Sequence, residues 1–146
     1  MRRRVQSWGL VVAWLVAWPL LAHAQEPITV TELLAKGGTR LSGEELTRLV
    51  SGATMSGTQV NRPETTFENV LKADGTLSGF ARFPGETVGV SGTWSVDGQG
   101  RLCSDLRNTR GAKFGSCTFY FQLDGNYFSA PSEDRDAKIY RRAIAR

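Results

Sequence analysis

Histidine is almost missing from this chain, with only His23 among 146 residues, and cysteine occurs only as Cys103 and Cys117. His23 closes an apolar N-terminal stretch. Arg2, Arg3 and Arg4 precede an uncharged run from Trp8 to Ala22, and Ala22-His23-Ala24 follows with small residues where a signal peptidase looks. Basic start, apolar middle and A-x-A end are the order of an export signal, which predicts cleavage after Ala24 and a periplasmic or secreted product. The run is 15 residues long, short of the roughly 20 that cross a bilayer as helix. Membrane contact is therefore expected only through the uncleaved signal. Either the general or the twin-arginine export route fits Arg3-Arg4. Without His23 the mature chain has no histidine, which excludes Ser-His-Asp and Cys-His catalysis and histidine-bearing zinc sites. No glycine-rich phosphate loop leads from a strand into a helix either. The expectation is a non-enzymatic protein with no catalytic residues, no cofactor and no metal.

A strong charge of one sign is also lacking. The full chain carries +4, but loss of the three leading arginines leaves 15 Lys and Arg against 14 Asp and Glu. A polyanion partner needs a concentrated basic surface, so nucleic acid is not expected. The even cysteine count in an exported chain predicts a Cys103–Cys117 disulfide. The 122 residues after position 24 make one domain, large enough to bury a core.

What is present is helical first and extended afterwards. In "LSGEELTRLVSG", Ser42 is an N-cap with Glu45 three residues on, a capping box. Leu46, Leu49 and Val50 then share a face, and Gly52 suits the left-handed C′ position. A shorter helix is expected from Thr31 to Lys36. Residues 25–52 thus form an N-terminal helical segment on an antiparallel β domain, 53–146. From Ala53 on, Asp74-Gly75, Asp97-Gly98 and Asp124-Gly125 separate runs rich in aromatic and β-branched residues, the hairpin pattern. The runs are 53–60, 66–73, 76–83, 86–96, 101–106, 115–123, 126–130 and 138–144, with Pro63, Pro84 and Pro131 between them. About eight such strands predict a mainly β fold, an antiparallel meander forming a closed or partly open barrel.

Alternation assigns faces. Val88, Val90, Trp94 and Val96 share one parity, and Cys117, Phe119, Phe121 and Leu123 share another, each read as the core side. A three-residue loop Ala73-Asp74-Gly75 pairs Leu71 with Leu77 and Phe67 with Ala81, keeping apolar residues together where a two-residue turn would not. A four-residue loop Asp97–Gly100 pairs Trp94 with Cys103, which places the indole beside the disulfide as a core aromatic. The acidic pairs have ordinary explanations: Glu44-Glu45 favours a helix start, and Glu133-Asp134-Arg135-Asp136 lacks the ligand ladder of a calcium loop. Asp105, which shares Cys103's parity, is read as facing the interior or across its open end, and as ion-paired with Arg101 or Arg107. Phe80, Arg82 and Tyr120 fall on the side opposite the core, a possible partner-binding face for an envelope protein or glycan. Arg141, Arg142 and Arg146 read as a solubilising strand edge.

Taken in order, "LSGEELTRLVSG", "LKADGTLSG", "GTWSVDGQGRLC" and "GSCTFYFQLDGNYF" resemble a family of small exported proteobacterial proteins to which no activity is assigned. The resemblance spans about residues 41–130 and implies an exported β domain with helices at its front, with no site residues to transfer. Gly92-Thr93-Trp94 gives a looser likeness to lipocalin-type barrels, whose G-x-W lies on the first strand rather than mid-chain. Two functions are therefore expected: a binding module for a protein or envelope component, or a lipocalin-like carrier of a small apolar ligand near Trp94. A carboxylate-dependent glycan hydrolase using Asp105 or Glu133 is a remote third.

Overall fold

The structure, a computed structural model, describes residues 28–146. The export signal expected at 1–24 lies outside the described residues. Two short helices come first, α1 (Val30–Ala35) and α2 (Gly43–Val50), with a two-residue strand β1 (Thr39–Arg40) between them. Both helices begin in reciprocal capping boxes. The Ser42 hydroxyl accepts the Glu45 N–H and the Glu45 carboxylate accepts the Ser42 N–H, and Thr29 and Glu32 repeat the arrangement. Each pair satisfies two helix-start donors that have no partner within the helix.

Eight strands follow: β2 (Ala53–Gln59), β3 (Arg62–Leu71), β4 (Thr76–Phe83), β5 (Glu86–Val96), β6 (Leu102–Asn108), β7 (Lys113–Leu123), β8 (Asn126–Ala130) and β9 (Tyr140–Ala145). Each pairs antiparallel with the next, and β9 returns to pair with β2, so the sheet closes into a barrel. The small β1 pairs with β7 at Thr39↔Gln122, beyond the end of β6. The Ala73–Gly75 loop sets Leu71↔Leu77 and Phe67↔Ala81, with Gly75 at φ 84°. Asp124-Gly125 is a two-residue turn with both φ positive, 50° and 76°, which matches the right-handed strand twist. Pro63 does not fall between strands as the runs implied. It sits within β3 beside the register break at Thr58/Gln59, where a bulge leaves the missing N–H without a ladder partner to lose.

The loop after β5 differs from expectation by one residue. Asp97 stays in the ladder, its N–H donating to the Arg101 carbonyl (3.0 Å), and only Gly98–Gly100 form the loop. The Asp97 carboxylate accepts the N–H groups of Gln99 and Arg101 and the Arg101 Nε. Gly100, at φ 73°, passes against Gly43 at the start of α2, an approach that side chains would obstruct. The pairing is therefore Val96↔Leu102 and Trp94↔Ser104, not Trp94 with Cys103. A slip of one residue reverses the face of a strand. Cys103 and Asp105 consequently point outward, while Trp94 points in.

Hydrogen bonds from the Arg101 N–H, then from its side chain, hold the Asp97 carboxyl below its ordinary range. A depressed folded value gives stability that is present above the ordinary aspartate value, about 3.9, and lost as pH falls through the lower folded one. Asp97→Asn is expected to melt earlier than wild type at pH 6, with the gap closing below about pH 4. Melting curves from pH 2 to 7 check this; a gap that is constant with pH would remove the carboxylate from the account.

Apolar residues form two layers. Inside the barrel, Leu46 and Val50 of α2 are fully buried with Leu71, Leu77, Trp94 and Leu102. Outside it, Val30 and Leu33 of α1 cover Phe119, Phe121, Phe128 and Ala130. The second layer corrects the expected parity of β7. Phe119 and Phe121 face α1, and Tyr120 faces the barrel interior, 3% exposed. Among the described residues no helix is long and apolar enough to cross a membrane.

Candidate ligand-binding cavity

Inward-pointing side chains of an eight-strand barrel fill it or leave room for one small ligand, depending on their size. Here they leave a cavity of about 300 Å³. Small residues occur at inward positions on several strands, among them Gly57, Gly79, Ala81, Gly92, Ser104 and Ser116. Met55, Phe67, Val90, Trp94 and Leu106 give the cavity apolar walls. The Trp94 indole N–H is already satisfied by the Lys72 carbonyl at 2.8 Å, so its ring presents an apolar surface.

The two ends differ. Helix α2 lies across the end formed by the loops after β3, β5 and β7, and its Leu46 and Val50 close that end. Among the described residues no helix covers the other end, built by the turns at 60–61, 84–85 and 109–112. Phe114 lines the cavity there yet is 42% exposed. A large apolar residue both lining and exposed marks a rim.

Polar groups concentrate on the wall formed by β7, β8 and β9. The Tyr120 hydroxyl donates to Met55 Sδ at 3.0 Å, a weak acceptor. Ser129, directly opposite Tyr120 on β8, is 1% exposed and its hydroxyl has no partner. Asn69 Oδ1, on the cavity wall from β3, is also unpartnered. Such orphans are uncommon in native interiors.

Arg142 is the decisive member of this wall. Sequence placed it on a strand edge, but β9 is inside the ring between β2 and β8, and Arg142 shares the inward parity of Tyr140 and Ile144. It is 6% exposed and, among the described residues, is the only charged side chain lining the cavity. No carboxylate pairs with it among the described residues. Its Nη1 donates to the carbonyls of Thr58 (2.8 Å) and Arg141 (3.1 Å). Its guanidinium stands 5.1 Å from the Phe67 ring centroid and 5.7 Å from that of Tyr140. Opposite it, Gly57 makes the space: a Cβ there would lie 2.6 Å from Nη1. Burial lowers the proton affinity of Arg142, opposed by the nearby Tyr120, and burial raises that of Tyr120, opposed by Arg142. Because the barrel is closed, β9 is no edge strand on which a basic stripe could lie.

The other candidates sit elsewhere. Phe80 and Arg82 lie on the outer parity of β4, with the guanidinium 4.2 Å from the ring centroid, whereas Tyr120 has left that face. Glu44 pairs with Arg48, Glu45 caps α2, and Glu133 accepts from Arg40 at 2.6 Å. Asp105 is exposed on the outer face, not inward as expected. Arg141 donates to Asn126, and Arg146 to the Arg48 carbonyl. Asp97 Oδ2 lies 3.8 Å from Cys103 Sγ, but both sulfurs of that cluster are bonded to each other, so no thiolate is left to ligate a metal. The Cys103–Cys117 bond is compatible with an oxidising compartment. No protein-family model, curated protein or solved structure matches this chain.

Proposed function

We propose that this is an exported binding protein that holds a small, largely apolar ligand inside its barrel. One observation carries the proposal: a closed eight-strand ring surrounds about 300 Å³ of space, plugged at one end by α2 and open toward Phe114 at the other. That volume is at the lower end of ligand pockets, and apolar walls with a few converging polar groups are their usual lining. Export is supported by the N-terminal pattern and by the disulfide. An envelope protein or glycan docking on the outer face is the weaker reading. Tyr120 no longer belongs to that face, and Phe80 and Arg82 are engaged with each other.

Titration with a panel of fatty acids, alcohols and apolar dyes is expected to change tryptophan emission, and Trp94→Phe to abolish the change. Bound compounds should also raise the melting temperature, since a ligand at 100 times its Kd adds about 2.7 kcal/mol. An emission spectrum and melting curve indifferent to the whole panel would mean that the interior is not a ligand site.

A further inference from the structure

We infer that the ligand is a single-headed anionic amphiphile, a monocarboxylate of about ten non-hydrogen atoms, with its carboxylate on Arg142. The inference rests on the proposed interior site and assigns its chemistry. Charge is the first argument. A buried guanidinium without a counter-charge is unfavourable, and among the described residues no Asp or Glu lines this cavity. Its two bonds to carbonyls both come from Nη1, and its other side-chain neighbour is the neutral Tyr120 hydroxyl, not a carboxylate. A carboxylate takes two parallel N–H donors from one guanidinium, and charge-assisted bonds of this kind are the stronger ones.

The neighbours fit the same headgroup. Tyr120 from β7, Ser129 from β8 and Arg142 from β9 converge on one wall. The Tyr120 hydroxyl donates to a thioether, a weak acceptor, with Thr118 and Arg142 also beside it, and the Ser129 hydroxyl has no partner among the described residues. A carboxylate oxygen supplies an acceptor for each. Among the described residues no other charged group lines the cavity, so one negative charge neutralises the site. Across the ring of eight from Arg142, β5 stands four strands away from β9 and presents Val90 and Trp94. That gives the amphiphile a polar end and an apolar end. Size follows from volume: a water takes about 30 Å³ in the liquid, so 300 Å³ holds on the order of ten water-sized groups.

The test compares compounds of one chain length by calorimetry on the exported protein: octanoate, 1-octanol and octylamine. Octanoate is expected to bind at least tenfold more tightly than octanol, and octylamine more weakly than either. Arg142→Met should cost octanoate at least tenfold while leaving octanol within about threefold. Equal affinities for octanoate and octanol in the wild type would overturn the carboxylate assignment and leave interior binding standing. Failure of every compound to bind would instead overturn the interior site itself. Should Arg142→Met not fold, the wild-type ranking of the three compounds decides the matter alone.

Discussion

Leu46→Ala is expected to be among the most damaging single substitutions in the protein, lowering stability by about 2–5 kcal/mol. Leu46 is 0% exposed and stands where α2 meets the barrel interior. Its neighbours in that layer include Trp94, Leu71 and Leu102, which belong to three different strands and cannot all move inward to refill the space. Such sites pay both the lost transfer energy and the cavity left behind. For a domain of this size a loss of that order lowers the melting temperature by about 10 °C or more. Leu34→Ala is the control. Leu34 is on α1 and 48% exposed, so its removal should change stability by no more than about 0.5 kcal/mol. Thermal melts of the two variants beside wild type check the contrast. A Leu46→Ala protein that melts within a degree or two of wild type would show that α2 is not the plug of the barrel.

The sequence made the fold legible because its local and global patterns agree. Asp-Gly turns fall between runs of strand-forming residues, and the runs alternate cleanly wherever only one face is buried. Val88 to Val96 and the Ala73–Gly75 register could be read correctly for that reason. The errors cluster where alternation loses its meaning. Phe119, Tyr120 and Phe121 are apolar on both parities because β7 has the barrel interior on one side and α1 on the other. Nothing in the run itself says which face is which. The partner of Trp94 is hidden for a smaller reason: an Asp-Gly pair reads as loop, although the Asp97 N–H completes the ladder. Arg142, beside Arg141 and near a basic C-terminus, looks like surface until its strand is known to be enclosed by two others. The cavity was illegible for the same reason, since it depends on which small residues face each other across a closed ring.

Removing the disulfide is the second large effect expected. Cys103 and Cys117 face each other directly across β6 and β7 and are separated by 14 positions. Closing a loop of that length restricts the unfolded chain by about 3 kcal/mol in the chain-entropy account. Typical domains are stable by only about 5–15 kcal/mol, so Cys103→Ala with Cys117→Ala should melt roughly 10 °C lower than the oxidised wild type. Reduced wild type should behave like the double variant, because the folded strands remain paired in both. The same experiment tests the register of the β5–β6 hairpin. A disulfide in contact with an indole quenches its emission. With Trp94 opposite Ser104 and pointing inward, and the disulfide on the outer face, reduction below the melting temperature should leave the Trp94 signal unchanged. The Trp94→Phe protein supplies the baseline for that comparison. A rise in native-state emission on reduction would put the indole against the sulfurs, reverse the faces of β6 and β7, and take Tyr120 away from the cavity wall it shares with Arg142.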